Sequence, residues 1–235
     1  MSGGIVTQWS QHATRPPFAI IGLFLLCLFF YVVYAGLSPL MQQALIDMGG
    51  MEPAVVSGLL AQPPSTWWSA PALSLLTALL LHDSWLHLLG NLVYLWVFGI
   101  KVEQRLGSLG MIAIFLAGGA LANLIVALRL PELTSPIIGA SGAVSAVIGA
   151  YLGLFPRRHI GLFIPLGLYL QFARVPALFV IGSWFTLQLL YTAFGPINAA
   201  VAWWTHLAGF ALGISLALAA RGIALLRHQA GPTTR

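Results

Sequence analysis

Apolar residues run almost unbroken through five stretches of this chain, Phe18 to Leu37, Asp83 to Val102, Leu109 to Leu128, Val175 to Phe194 and Val201 to Ala220. Each is about 20 residues long, which is the length a helix needs to cross a hydrocarbon core of roughly 30 Å. None shows the alternation of a membrane β-barrel strand, so the pattern predicts helical spans. A further stretch, Gly142 to Phe155, is shorter. It predicts a helix that starts below one membrane surface, inside protein, where a non-helical approach is tolerated. Between the first two spans, Ser38 to Ser74 carries five prolines, paired glycines, Asp47 and Glu52. That segment reads as a long loop, held in the membrane interface by its Leu, Val and Trp residues, Trp67 and Trp68 among them. Pro156-Arg157-Arg158 ends the short helix, and a partly apolar connector containing Pro165 leads to the next span.

Composition makes the membrane reading compulsory. Hydrophobic residues are 59% of the 235, and charged residues only 6%, against about a quarter in soluble domains. So few charges cannot coat a water-soluble surface of this size. The net charge of +5 comes from basic residues scattered singly between apolar runs, with no basic stripe for nucleic acid. Cys27 is the single cysteine; lying in an apolar run, it reads as a packing residue.

Six spans put both termini on one side, together with Arg15, Lys101, Arg105, Arg157, Arg158, Arg174, Arg221, Arg227 and Arg235; only Arg129 falls opposite. By the positive-inside bias that side is cytoplasmic. The expectation is an all-α membrane protein of six transmembrane helices with a short central fourth helix. It forms a single membrane domain, with a core at about 18–221 and cytoplasmic tails at 1–17 and 222–235.

Polar groups inside the bilayer are costly unless paired or functional. Four stand out: His87, Asn91, Ser141 and His206. His87 and Asn91 are spaced i, i+4 and share one face near the external end of span two. Ser141 lies in Gly139-Ala140-Ser141-Gly142, where the glycines permit a tight approach to the amino end of the short helix. His206 stands about five residues into span six, only ~8 Å below the external surface. All four therefore fall in the outer half of the bilayer. Small-xxx-small pairs, Gly149 with Gly153 and Gly209 with Gly213, offer close approach between spans four and six.

A serine becomes a nucleophile when a base takes its proton, and histidine titrates near working pH. No acidic third member is evident, because Asp83 sits at the membrane surface and Glu103 lies ~18 Å along the helix from Asn91. That leaves a Ser141–His206 dyad. His87, Asn91 and the backbone N–H of Ser141 are candidate donors to a tetrahedral oxyanion. His82, at the water boundary, reads as a structural hydrogen-bonding residue, and Glu103 with Arg105 as a tie at the inner end of span two.

These residues carry a family resemblance. His82-Asp83-Ser84-Trp85-Leu86-His87-Leu88-Leu89-Gly90-Asn91, Gly139-Ala140-Ser141-Gly142 and Trp203-Trp204-Thr205-His206-Leu207-Ala208-Gly209 resemble the second-, fourth- and sixth-span motifs of bacterial rhomboid intramembrane serine proteases. Gly99, Glu103, Arg105 and Gly107 fit the same family's inner-loop pattern, and the resemblance covers roughly residues 70 to 221. It implies a rhomboid-like bundle with Ser141 as nucleophile, His206 as general base, and His87 and Asn91 as oxyanion donors. By the same resemblance the chain needs no cofactor or metal. It lies in a bacterial inner membrane and cleaves single-pass or polytopic membrane proteins near their external ends. Two positions depart from the pattern: Leu73-Ser74 replaces a Trp-Arg pair, and Ser145 stands where an aromatic residue often stacks on the base. Span five, with bulky Trp184 and Phe185 and without a glycine pair, reads as the loosest wall and the expected lateral route for substrate. Two other classes compete: a catalytically silent rhomboid-like protein that binds or escorts membrane proteins, and a metal or haem protein ligated by His82, His87 and His206.

Overall fold

The computed structural model describes residues 16–166, 169–194 and 199–229. In chain order the elements are α1 (Phe18–Ala35), α2 (Pro39–Gly49), α3 (Pro53–Leu60), α4 (Ala70–Thr77), α5 (Trp85–Arg129), α6 (Ser141–Leu154), the strands β1 (His159–Leu166) and β2 (Tyr169–Pro176), α7 (Ala177–Phe194) and α8 (Ala199–Gln229). The outermost tail residues, 1–15 and 230–235, lie outside the described residues, as do 195–198 between α7 and α8.

Among the described residues, three helical stretches are long and apolar enough to cross a membrane: Phe18–Ala35, Trp85–Arg129 and, within α8, Trp203–Ala224. Ser141–Leu154 and Ala177–Leu187 are shorter apolar helices. The 45 residues of α5 are far more than one crossing needs. Drawn straight they would extend ~68 Å, but the run breaks at Gly107, whose φ of 77° is one that glycine adopts without strain. The chain doubles back there. A Cβ placed on Gly99 would lie 3.5 Å from the Met111 side chain, although the two are twelve residues apart in sequence. The halves 85–106 and 108–129 thus supply the two runs expected as spans two and three.

The centre of the bundle is α6. Every residue from Gly142 to Tyr151 is buried, packed by the two halves of α5 and by α8, so fourteen residues suffice for a helix that needs little lipid contact. The expected glycine contacts form this packing. Gly149 rests on the backbone of Phe210 and Ile214, Gly209 on the Gly142 carbonyl, and Gly213 on the Ala146 carbonyl. Two adjacent glycines in the second half of α5, which no Gly-xxx-Gly spacing marks, also pack closely. Gly118 meets Ala146, and Gly119 meets Ala143 and Leu79. Outward-facing residues such as Leu25, Phe29 and Val32 of α1 and Phe179 and Leu187 of α7 are exposed and apolar, as lipid-facing surface requires.

Two expectations need correction. The segment 38–74 is not an irregular loop but a series of short helices, because its prolines stand in first turns rather than inside helices. Pro39 and Pro53 open α2 and α3, Pro64 opens a 3₁₀ turn, and Pro71 sits in the first turn of α4. There a missing N–H costs nothing. This layer is tied to the bundle by paired backbone bonds between Met51 and Ile137 and by the Asn123 amide donating to the Leu75 carbonyl at 3.0 Å. The connector after α6 is an antiparallel hairpin, with His159 opposite Pro176 and Leu166 opposite Tyr169. It is the one exception to an otherwise helical architecture among the described residues. The last helix also continues past Ala220 into the segment expected as a tail.

At the end of the bundle where α1 begins and α5 breaks at Gly107, Glu103 is buried and accepts from the backbone N–H groups of Ala19 and Ile20, at 2.8 and 2.9 Å, and from the Ser108 hydroxyl at 2.6 Å. A carboxylate thus satisfies two orphan donors of α1 and sits at the positive end of its dipole.

Candidate active site

Ser141 is the first residue of α6, and the backbone before it is held on two sides. The Gly139 N–H donates to the Ala78 carbonyl at 2.8 Å, and the Ala140 N–H to His82 Nε2 at 3.4 Å. Gly139 is needed twice over, since its φ is 114° and any Cβ would fall on the His87 imidazole. His87 therefore lies against the turn that presents Ser141.

Three side chains from the start of α5 and the loop ahead of it converge on that turn. His82 is buried, and its Nδ1 faces the Leu80 carbonyl at 3.3 Å while Nε2 faces the Asn91 amide at 3.0 Å and the Ala140 N–H. A carbonyl can only accept and an amide N–H can only donate. Those partners therefore select the neutral tautomer with the proton on Nδ1. Burial, with His87 nearby, lowers the His82 pKa to about 4. His87 lies with its ring centroid 5.1 Å from that of His82 and donates from Nδ1 to the Asp83 carboxylate at 2.9 Å. That hydrogen bond holds Asp83 below the usual carboxylate range. Asp83 is thus partner to His87 rather than a third member beside His206, a pairing foreshadowed only by the i, i+4 spacing.

Across the bundle, α8 brings His206 to the same level. A Cβ on Gly142 would touch Thr205, so Ser141 and His206 each lie one residue from a direct contact between α6 and α8. His206 is buried, and neither ring nitrogen has a hydrogen-bond partner among the described residues. Ser145 does not supply one, because its hydroxyl donates to the Ser141 carbonyl at 2.7 Å. What His206 does contact is the Trp184 ring, at 5.4 Å between centroids.

A model of the Rhomboid domain matches residues 64–222. The chain belongs to the rhomboid family. Its members are typically intramembrane serine proteases, and some are inactive, so the matched segment carries protease-related expectations into a membrane helical bundle. Within this rhomboid domain the four singled-out residues stand on α5, α6 and α8, with His87 against the Ser141 turn and Asn91 joined to it through His82. At the departing pair, Ser74 is buried and bonds within its own turn to the Pro71 carbonyl at 2.6 Å, while Leu73 is exposed. The ligand set of the metal reading does not assemble: among the described residues no three His, Cys, Asp or Glu side chains come close enough to hold an ion. Sequence reasoning missed Trp184 as a neighbour of the site, and nothing local to Trp184 announces it.

Proposed function

We propose that the protein is an intramembrane serine endopeptidase that cuts membrane-spanning segments of other proteins near their external ends. The observation that carries this reading is a glycine-shaped serine turn whose next residue, Gly142, packs on Thr205 of α8, beside a buried imidazole whose ring nitrogens have no hydrogen-bond partner among the described residues, within a rhomboid bundle. Burying an imidazole without a partner costs free energy that packing alone does not recover, and a base waiting for a proton accounts for it.

Ser141 Oγ attacks the substrate carbonyl carbon as His206 takes the hydroxyl proton. The carbonyl π electrons move to oxygen, and that oxyanion is met by the Ser141 N–H, the Asn91 amide and His87. Asn91 has two N–H bonds and spends one on His82, so the second is the one offered to the oxyanion. His87 spends its Nδ1–H on Asp83, so donation from Nε2 uses the imidazolium form, with Asp83 as counter-charge. Collapse of the intermediate expels the amine, which takes the proton from His206. Water then attacks the acyl-enzyme carbonyl as His206 takes its proton, and collapse of the second intermediate breaks the acyl–Oγ bond, releases the acid product and returns that proton to Ser141 Oγ. A helical substrate hides its carbonyls in internal hydrogen bonds, so the cut segment must unwind at the turn.

The reading includes a single membrane domain of six crossings, both termini cytoplasmic and the site near the external face, in a bacterial inner membrane; the nine-to-one distribution of basic residues supports the orientation. The test is cleavage of a single-span substrate in liposomes. Ser141→Ala and His206→Ala abolish it and a chelator leaves it intact, while Asn91→Ala lowers it by a factor of ~10² to 10³. Cleavage that survives Ser141→Ala refutes the reading.

A further inference from the structure

We propose that Trp184, on α7, is the positioning residue that orients the His206 ring, a proposal that rests on the reading of His206 as the general base. An imidazole must point one nitrogen at the serine hydroxyl, and hydrogen bonds usually fix its rotation. Here none does: both ring nitrogens lack a partner among the described residues, and the Ser145 hydroxyl is committed to the Ser141 carbonyl. Residue 145, a serine, has no ring to stack on the imidazole. Orientation must then come from packing.

The Trp184 indole is the ring that provides it, 5.4 Å from the imidazole centroid and tilted by 43°. It is itself held on both sides. Tyr94 of α5 lies 5.7 Å away, and Phe185 stands perpendicular at 4.9 Å, anchored in turn on Trp203 and Phe210 of α8. Trp184 is 9% exposed while its neighbours on α7, Leu178, Phe179 and Leu187, face outward. The indole thus fixes the base from a different helix than the one that carries it. Orientation of His206 becomes conditional on α7 being seated against α5 and α8, so a displacement of α7 that admits a substrate also idles the base until the helix returns.

The experiment separates this role from that of a mere wall. A small fluorophosphonate probe reaches Ser141 without needing a transmembrane substrate to pass α7. Labelling of the wild type but not of Ser141→Ala establishes the nucleophile; without it the functional reading falls, and this proposal with it. Given labelling, Trp184→Leu slows it by about tenfold or more, since small misplacements of a reacting group cost one to two powers of ten, while Trp184→Phe stays within about threefold because a ring remains. For peptide cleavage the loss falls on kcat with KM unchanged. If Trp184→Leu labels at the wild-type rate or faster, the residue is only part of the wall and the proposal is overturned. Should Trp184→Leu fail to fold, Trp184→Phe decides through NMR of ¹³C-histidine-labelled protein. The His206 ring resonance, assigned by its loss in His206→Ala, shifts when the indole ring current is replaced. An unmoved resonance refutes the contact.

Discussion

Acidification should loosen the turn beneath Ser141 through one residue. His82 lies ahead of α5, outside the spanning helices, and accepts at Nε2 from Asn91 and from the Ala140 N–H. Protonation places a third N–H against two donors, so the folded state resists it, and burial lowers the pKa from 6.5 to about 4. The folded pKa is below the unfolded one. The associated stability is therefore complete above the unfolded value and is lost as pH falls through the interval down to the folded value. A gap from 6.5 to about 4 corresponds to about 3 kcal/mol when fully expressed, and to about 2 kcal/mol at pH 5. Because His82 is only 1% exposed, solvent screening takes little from that figure. The assay is reversible unfolding in mixed micelles between pH 8 and 4.5, run on the wild type and on His82→Gln, which offers an acceptor at similar reach and does not titrate. Asp83, whose pKa is also held down, loses its contribution in acid in both proteins and cancels in the comparison. The wild type should lose about 2 kcal/mol more than the variant between pH 7 and 5. Parallel curves would refute the assignment of the tautomer and of the turn's dependence on it.

Two further outcomes follow from the packing. Gly213→Val drives a side chain into the Ala146 carbonyl, which overpacks the α6–α8 contact by about 1–3 kcal/mol or more; a thermal melt reads the loss, and an unchanged melt argues against that helix pairing. Glu103→Gln keeps the shape but removes the charge that accepts from Ala19, Ile20 and Ser108, at a cost of about 1–2 kcal/mol; protease susceptibility near Phe18 should rise, and no rise counts against the cap.

Features carried by one element at a time were legible in the chain. Apolar run lengths marked the helices, Gly139 and Gly142 marked the serine turn, and the i, i+4 spacing put His87 and Asn91 on one face, because hydropathy, backbone freedom and helical period are local properties. The same locality misled at 38–74, where proline signals both the end of one helix and the start of the next, and only pairing with Ile137 and Asn123 of the bundle chose the second meaning. Connector residues 159–166 and 169–176 paired as strands because each edge found the other, a partnership that no single run of residues announces. At the site, the chain named Ser141 and His206 but not what holds them. That His82 clamps Asn91 and Ala140, that Asp83 serves His87, and that Trp184 rests on His206 depend on how far each helix is rotated about its axis when it packs. The rotation is set by the sum of many interhelical contacts, glycine on carbonyl above all, and so it exists only in the assembled bundle.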